Sequence, residues 1–454
     1  MTRREFLGRA AGVAACAAVP QMGWAQQRPD YSLTIGPCTL EASPKHVIKT
    51  LGYNGTIPGP LLRLREGRPV RIEVLNNSRD PEIVHWHGLK IPSAMDGAME
   101  EGSPMIQPGQ RLVYEYTPRP AGFRWYHTHT SAGGDLRKAQ YTGQHGFLFV
   151  ESASDAGAYD REEFLALHDW RGELVANADG AMNPAYDVST INGKMLGHGE
   201  PIRVKEGERL LLHVLNSSAT EVHWIALAGH ELQVIALDGN PVPKPATVPM
   251  LRLAPAERVC AIVEMKNPGV WVLGEVRKHV QAAGMGVVVE YAGATGAPRW
   301  EQPMELVWDY ERFGAAAGEA GERGDVEEIP LVIESKFMGH GAMERWMING
   351  RSYPDVPEPM LTEGRRYRLR MQNKSMDDHP MHMHRHTFQL RELPGAKSGS
   401  AAIPTRGIMK DTVLVRAGAE TVVEVVADNP GKTLFHCHQQ NHMDLGFMML
   451  FRYA

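Results

Sequence analysis

The feature that most constrains the fold of this chain is an internal repeat that occurs three times. Each copy has an Asn-Gly turn, then a Glu-Gly turn, and then a run of alternating apolar residues that ends at an asparagine. Asn-Gly and Glu-Gly are turn signals, and the alternation has the period of a β-strand. The alternating runs cover residues 70–74, 210–214 and 367–371. Repetition in the same order at near-constant spacing predicts three homologous β-sandwich domains.

The same repeat sets the expected domain boundaries. The first domain is predicted to cover residues 26–151, the second residues 152–292 and the third residues 293–454. A stretch rich in Gly, Ala and Glu between residues 313 and 325 is predicted to be a surface loop. The 46 glycines and 31 prolines among 454 residues are typical of a turn-rich, all-β chain.

Composition excludes several classes of protein. Hydrophobic residues make up 43% of the chain and charged residues 22%, which excludes disorder for most of it. The formal net charge of −5 argues against a nucleic acid partner, because polyanion binding needs a basic surface. No apolar run reaches the roughly 18 residues of a membrane span. Twenty histidines and 23 methionines against four cysteines favour a metal protein over a disulfide scaffold.

Residues 1–25 resemble a twin-arginine signal peptide. Arg3 and Arg4 precede a short apolar stretch, and the small residue Ala25 offers a cleavage site. This leader predicts export of the folded chain to the periplasm or the extracellular space. Two alternatives remain open: Cys16 lies in a sequence that resembles a lipoprotein cleavage box and could carry a lipid anchor, or the segment is an ordinary first helix of a cytosolic protein.

Ten of the twenty histidines fall into four clusters, each of which contains a His-x-His pair. Residues i and i+2 of a strand point to the same face, so each pair aims two imidazoles into one space. Without a metal, so many packed imidazoles would leave buried donors and acceptors unpaired. The clustered histidines are His85, His87, His127, His129, His379, His382, His384, His436, His438 and His442. The pattern therefore predicts metal centres.

Alignment of the repeats indicates where the clusters meet. His85 lies nine residues after Asn76, and His382 lies nine residues after Asn373. The first and third domains therefore present matching halves, which predicts an eight-imidazole site at their interface. The middle domain retains His223, but it lacks the second histidine of a pair and is predicted to be a spacer without metal ligands.

Cys437 is the only cysteine inside a cluster, where it stands between His436 and His438. One cysteine and two histidines make a blue-copper site. Because Cys437 is bonded in sequence to both neighbours, an electron at its sulfur has a covalent path to the cluster, over a distance on the order of 10 Å. A zinc interpretation needs only three or four ligands per site and leaves the other histidines unexplained.

These four segments, in this order, resemble the copper motifs of the multicopper oxidases, the laccase-like family with three cupredoxin domains. The resemblance covers essentially the whole mature chain. It implies an all-β fold of three tandem cupredoxin-like Greek-key β-sandwiches that bind four coppers. Such enzymes take single electrons from four molecules of a small-molecule reductant and reduce O₂ to two waters.

The resemblance also implies a ligand set for each copper. The implied ligands are His379, Cys437 and His442 for the type 1 copper; His85 and His382 for type 2; His87, His127 and His436 for one type 3 copper; and His129, His384 and His438 for the other. Cys437 is thereby expected to be catalytic, as the point at which electrons leave the type 1 site.

Three further positions follow from the resemblance. Asp96 is expected to lie beside the cluster and to assist proton delivery, although an aspartate before glycine is also an ordinary turn residue. Asp444 is a candidate second acid, two residues after His442. Phe447 occupies the position axial to the type 1 copper, with Met448 as the alternative in a shifted register.

The expected function is oxidation of phenols and aromatic amines coupled to O₂ reduction. The alternative within the class is a metallo-oxidase of Cu(I), which a methionine-rich patch at residues 338–347 favours because thioethers suit Cu(I). Methionine is also a common core filler. A non-enzymatic cupredoxin scaffold or copper store is a distant third possibility, because all eleven ligands are present. Cys38 and Cys260 either pair across domains or remain free thiols.

Overall fold

The computed structural model describes residues 28–152, 159–178, 180–306, 308–315, 325–393, 403–404 and 407–454. The predicted leader, its cleavage site and the lipid-anchor alternative at Cys16 lie outside the described residues. The same holds for residues 316–324 of the predicted surface loop. Among the described helices, none has the length and apolar character needed to cross a bilayer.

The first part of the chain forms two four-stranded sheets. Its strands are β1 (Tyr31–Ser43), β2 (His46–Tyr53), β3 (Gly59–Arg65), β4 (Val70–Asn76), β5 (Val84–His87), β6 (Arg111–Tyr116), β7 (Gly122–Thr128) and β8 (His145–Glu151). The sheet orders are β2-β1-β4-β6 and β3-β8-β7-β5. The α-helix α1 (Ser93–Asp96) and the 3₁₀ helices Met99–Glu101 and Ala139–Tyr141 lie in its connections. Strand β4 illustrates why these segments form strands: Val70, Ile72 and Val74 are buried in the core and alternate with less buried residues.

The second part also forms two main sheets. Its strands are β9 (Arg161–Trp170), β10 (Glu173–Ala176), β11 (Met182–Ala185), β12 (Val188–Ile191), β13 (Ile202–Val204), β14 (Arg209–Asn216), β15 (His223–Leu227), β16 (Leu232–Leu237), β17 (Asn240–Val248), β18 (Leu251–Leu253), β19 (Arg258–Glu264), β20 (Val270–Glu275) and β21 (Gly286–Tyr291). The orders are β12-β9-β14-β19-β16-β17 and β13-β21-β20-β15-β18, with β10-β11 as a separate hairpin. The helix α2 (Lys278–Ala282) follows β20.

The third part repeats the arrangement. After the 3₁₀ helix Tyr310–Phe313 come β22 (Val326–Lys336), β23 (Arg345–Ile348), β24 (Met360–Leu361), β25 (Arg366–Asn373), β26 (His379–Met383), β27 (Phe388–Leu393), β28 (Ile403–Pro404), β29 (Met409–Lys410), β30 (Thr412–Val415), β31 (Glu420–Val426), β32 (Thr433–Cys437), α3 (Gln440–Asp444) and β33 (Met448–Tyr453). The orders are β23-β22-β25-β31-β27-β28, where β29 also pairs with β27, and β24-β33-β32-β26-β30.

The three copies of the turn motif adopt the same conformation. Asn54, Asn192 and Asn349 have φ values of 53°, 50° and 52°, and each is followed by a glycine that also has positive φ. In each copy the asparagine side-chain oxygen accepts a hydrogen bond from a backbone N–H of the first long strand, which is β1, β9 or β22. The left-handed conformation explains why asparagine and glycine recur here.

Each copy also contains two parallel strand pairs among otherwise antiparallel ladders. The pairs are β1 with β4, β3 with β8, β9 with β14, β13 with β21, β22 with β25, and β24 with β33. This equivalence confirms the predicted all-β fold of three cupredoxin-type sandwiches. The proposed boundaries at residues 151 and 292 stay predictions.

Candidate metal centres

The histidine clusters lie on short buried strands of the first and third sandwiches. All four residues of β5 are buried, with His85 and His87 on one face and Val84 and Trp86 in the apolar core of the first sandwich. Strand β7 pairs with β5 so that His127 lies opposite His85. In the third sandwich, β26 and β32 pair in the same way. The apolar alternate residues thus fix the direction in which the imidazoles point.

One candidate centre, the thiolate site, comprises His379, Cys437 and His442. Cys437 Sγ lies 3.8 Å from His379 Nδ1 and 3.7 Å from His442 Nδ1, and the two nitrogens are 3.2 Å apart. All three residues are buried. Two imidazoles and one thiol that face one point form the donor set that blue-copper sites use.

The ionisation of these groups suits a metal. His379 Nε2 is 2.8 Å from Ser375 Oγ, which leaves Nδ1 for the centre. Burial lowers the pKa of His379 to about 3, so its imidazole is neutral. Burial also raises the pKa of the Cys437 thiol, so copper binding has to displace its proton. Two neutral Nδ1 atoms at 3.2 Å are repulsive when both are acceptors, and a cation between them removes that cost.

Two aromatic rings cover the thiolate site. The Phe447 ring lies 4.9 Å from the His379 ring, whereas Met448 lines a cavity with Met338 and Met343. The axial position of Phe447 stays a prediction. The Trp346 ring lies 4.1 Å from His442 and 4.6 Å from His379. Sequence analysis missed Trp346, because nothing in its local pattern shows that β23 packs against this site.

The second candidate centre, the histidine cluster, joins eight imidazoles from the first and third sandwiches. Its members form overlapping triads whose ligand atoms lie within 4.8 Å of one another: His85, His87 and His382; His87, His127 and His438; and His129, His384 and His436. All eight side chains are buried. The predicted interface between the first and third domains therefore exists.

The predicted membership of two triads was wrong, because His436 and His438 exchange places. His436 Nε2 lies 3.0 Å from His384 Nε2 and 3.4 Å from His129 Nε2. The His438 ring instead lies 5.1 Å from His127 and 5.2 Å from His87.

The symmetry of the repeat explains the exchange. His87, His127 and His129 correspond to His384, His436 and His438, respectively, in the sequence alignment. Each sandwich gives two imidazoles to its own triad and sends the third across to the other. The type 3 ligand sets that the sequence predicted do not obey this two-fold relation. The alignment of the repeats contains the relation and is the signal that identifies the correct sets.

Unpaired ring nitrogens show that the cluster fits a metal. His85 Nε2, His87 Nδ1, His127 Nε2 and His382 Nε2 are buried without a hydrogen-bond partner among the described residues. The other nitrogen of each ring contacts a backbone carbonyl or a carboxylate. Burial, together with neighbouring imidazoles, lowers the pKa of His127 and His382 well below the usual range. Neutral rings with unpaired nitrogens in one space are the donors that copper prefers.

Asp96 lies beside the cluster, as expected. Its Oδ2 is 2.7 Å from His384 Nδ1 and 3.1 Å from His85 Nδ1. Glu101, which sequence analysis missed, accepts a hydrogen bond from the Leu434 N–H and lies 3.8 Å from His384 Nδ1. Burial raises the pKa of Glu101 well above its usual value, and Asp96 raises it further. The cluster therefore borders two buried carboxyl groups.

Asp444, the candidate second acid, contacts backbone groups of the first sandwich. Its Oδ2 accepts hydrogen bonds from the Ala132 and Gly133 N–H groups at 2.9 and 3.2 Å. It lines a cavity of about 400 Å³ together with Met338, Met343 and Met448. Met338 and Met343 of the methionine-rich patch thus line the same cavity as Asp444, which lies two residues after His442 in the sequence.

The cysteine alternatives are also resolved. Cys38 and Cys260 are free thiols, so the disulfide alternative is wrong. Cys260 is buried on β19, 3.2 Å from His213 Nδ1. Burial raises the pKa of this thiol to about 12, which is typical of an inert core cysteine.

Comparison with known proteins agrees with this geometry. Three family models described as multicopper oxidase match residues 36–155, 164–289 and 330–454. The multicopper oxidase MmcO of Mycobacterium tuberculosis is 30% identical, over 98% of this chain and 95% of that protein. Copper resistance protein A of Escherichia coli is 23% identical, over 92% of each.

A solved structure of a multi-copper oxidase from Pseudomonas thermotolerans matches with a TM-score of 0.72 at 26% identity. The match covers 93% of this chain and 98% of that one. The family matches together span most of the chain. This chain therefore belongs to the multicopper oxidases, copper oxidoreductases that hold one type 1, one type 2 and two type 3 coppers.

Proposed function

We propose that this enzyme oxidises phenols and aromatic amines by one electron at a time and passes the electrons to O₂. The observation that carries the proposal is the position of Cys437. It belongs to the thiolate site, while its neighbours His436 and His438 belong to two different triads of the histidine cluster. One short backbone segment therefore joins the site that would accept electrons to both halves of the site that would consume them.

The copper assignment follows the donor sets. His379, Cys437 and His442 are the proposed type 1 ligands, and His85 and His382 the proposed type 2 ligands. The proposed type 3 ligand sets are His87, His127 and His438, and His129, His384 and His436. Bound copper would supply the one-electron redox chemistry and the binding of O₂.

The protein's own part in the reaction is to fix these donors and to manage protons. The Asp96 carboxylate accepts a hydrogen bond from His384 Nδ1 and its backbone carbonyl accepts one from His85 Nδ1, so Asp96 holds both rings in one orientation. Its carboxyl group also lies close enough to the cluster to pass protons to reduced oxygen. Cys437 is the proposed exit for electrons.

A second candidate substrate is Cu(I). The cavity beside the thiolate site is lined by the thioethers of Met338, Met343 and Met448 and by the Asp444 carboxyl group. Thioethers suit Cu(I), and a carboxylate adds charge complementarity. The name of the Escherichia coli relative also connects that protein with copper resistance.

Oxygen uptake by the copper-loaded enzyme tests both candidates when a phenol, an aromatic amine, Cu(I) and Fe(II) are compared side by side. Uptake with the organic donors supports the first proposal, and its absence with both contradicts it. Met343→Leu should slow only Cu(I) oxidation if Cu(I) is the substrate. Met360→Leu is the matched control, because Met360 is 53% exposed and lies outside the cavity lining.

We also propose that the enzyme is exported by the twin-arginine route to the periplasm or the extracellular space. The support is the sequence of residues 1–25. Replacing Arg3 and Arg4 by lysine in the full chain should leave the enzyme in the cytoplasm. Cell fractionation with N-terminal sequencing measures this, and unchanged export of the variant contradicts the route.

A further inference from the structure

The second sandwich was predicted to be a spacer, yet it reaches the histidine cluster through Arg258. This arginine begins β19 and is completely buried. Its guanidinium group donates two hydrogen bonds to the Asp411 carboxylate, at 2.7 and 2.6 Å. Asp411 lies in the third sandwich between β29 and β30. The pair therefore joins two sandwiches in the interior of the protein.

Asp411 in turn contacts the cluster at two points. Its Oδ1 lies 3.1 Å from His87 Nε2, and its backbone carbonyl lies 2.8 Å from His382 Nδ1. A carboxylate that is paired with a guanidinium group can only accept hydrogen bonds. His87 Nε2 must therefore carry the proton, which leaves the Nδ1 lone pair for the cluster.

His87 is thereby reversed relative to its neighbours. His85, His127, His382, His384 and His436 all contact their partner through Nδ1 and turn Nε2 toward the cluster. His87 does the opposite, and its Nδ1 has no partner among the described residues. The side-chain partner of His87, the Asp411 carboxylate, is clamped by an arginine of the second sandwich, and the His382 Nδ1 atom lies farther from that carboxylate, at 3.8 Å.

Gly88 is the second observation that points to this clamp. Its φ of 84° is unfavourable for other residues. A Cβ atom here would lie 2.6 Å from Asp411 Oδ2 and 2.8 Å from the Arg258 Nη2 atom. The residue after His87 must therefore be glycine for the ion pair to approach the ligand.

We infer that Arg258 is a positioning residue for the type 3 site: by clamping Asp411 it holds His87 with Nδ1 as the ligand atom. This inference rests on the copper assignment proposed above. Without Arg258, the donors left to the Asp411 carboxylate among the described residues, besides the histidines, would be the Thr412 hydroxyl at 3.0 Å and the Arg124 guanidinium group at 3.7 Å, so it would hold the His87 ring less firmly. Outer partners of metal ligands commonly contribute about 10–100-fold to metal affinity.

The test compares Arg258→Met, Arg258→Lys and Asp411→Asn in the full copper-loaded enzyme. The measurements are copper per chain during titration with a copper chelator, the type 3 absorption, and the blue type 1 absorption. We expect all three variants to lose type 3 copper at about 10–100-fold lower chelator concentration than the wild type, with the type 1 absorption unchanged. Arg258→Lys keeps the buried charge and covers the case in which Arg258→Met does not fold.

Arg299→Met is the matched control, because Arg299 packs on the second sandwich, where its guanidinium group stacks on Trp271 at 3.9 Å. Unchanged type 3 affinity in Arg258→Lys and Asp411→Asn overturns the inference. Equal loss of type 1 and type 3 copper also overturns it, since Arg258 would then only stabilise the fold. A wild-type enzyme without type 1 absorption would instead contradict the proposed function.

Discussion

The thiolate site of the third sandwich has a counterpart in the second, and the two differ in charge. Met381 lies opposite Cys437 in the ladder of β26 and β32, and Ile225 lies opposite Glu275 in the ladder of β15 and β20. Glu275 thus takes the place of Cys437. His223, two residues before Ile225, takes the place of the proposed copper ligand His379.

The surroundings of the two histidines make one of them cationic and the other neutral. His223 lies between Asp169 and Glu275, at 2.8 and 2.9 Å. Burial lowers the pKa of His223, but Asp169 and then Glu275 raise it to about 9, so this ring is an imidazolium. Burial lowers the pKa of His379 to about 3, and no carboxylate in the described part of the chain compensates.

The comparison shows how equivalent pairs of strands can carry either a set of copper ligands or a buried ion pair. A protonated imidazole cannot bind a metal, whereas a neutral one next to a thiol can. The second sandwich has therefore exchanged a metal for buried carboxylates. Its proposed link to the copper sites is the positioning role of Arg258, which contacts Asp411.

The largest expected effect is that of Cys437→Ser, which removes the feature that separates the two sites. The variant should lose the blue absorption and nearly all turnover, and it should keep three coppers per chain, because the histidine cluster is intact. Absorption spectroscopy and elemental analysis measure this. Cys260→Ser is the control and should retain four coppers. A blue Cys437→Ser enzyme would show that the thiolate is not a ligand.

Asp96→Asn tests the proposed role of Asp96 in delivering protons to oxygen at the histidine cluster. An amide can still accept a hydrogen bond from His384, but it cannot relay a proton. Reoxidation by O₂ should slow by about 10²-fold or more, while reduction of the type 1 copper by substrate stays nearly unchanged. Stopped-flow absorption separates the two steps, and Asp80→Asn at an exposed ion pair is the control. Reoxidation at the wild-type rate would make Asp96 an ordinary turn residue.

His223→Gln tests the buried ion pairs that His223 forms with Asp169 and Glu275 in the second sandwich. Removing one partner from a buried charge cluster typically costs about 3–5 kcal/mol, so the free energy of unfolding should fall by about that amount at pH 6, with copper content unchanged. The raised pKa of His223 stabilises the fold fully below about pH 6.5 and no longer does so above about pH 9.

The stability difference between wild type and His223→Gln should therefore shrink as the pH rises through about 9. Denaturant titrations at several pH values measure it. The groups that face His223 are Asp169, Glu275 and, further out, Arg277 and Glu221. His279→Gln, at an exposed position, is the control. A difference that grows with pH would show that His223 is neutral.

The smallest expected effect comes from Phe447→Met, which places the residue of the second sandwich into the third. Phe447 and Met285 are equivalent, since their carbonyls accept hydrogen bonds from the Cys437 and Glu275 N–H groups. An axial thioether stabilises oxidised copper, so the type 1 potential should fall, by about 59 mV for a tenfold change in the redox equilibrium. Redox titration measures it.

Turnover of poorly reducing phenols should fall more than that of easily oxidised ones in Phe447→Met. Met448→Leu is the matched control and should keep the wild-type potential, because Met448 lines the cavity. A lowered potential in the Met448 variant, with none in Phe447→Met, would place the axial position one residue later.

The sequence by itself determined the features that depend on neighbouring residues. The turn motifs gave the three sandwiches, because Asn-Gly conformations are local. The His-x-His spacing gave the two candidate centres, because alternation along a strand sends both rings to one face. The place of Cys437 between two cluster histidines is likewise a property of three consecutive residues.

Only the tertiary structure decided how residues far apart in the chain meet. The exchange of His436 and His438 depends on how the first and third sandwiches face each other. Glu101, Trp346 and the pair of Arg258 with Asp411 reach the sites from other loops and strands. Single buried side chains of this kind leave no periodic signal, since their partners are set by the packing of domains and not by the period of a strand.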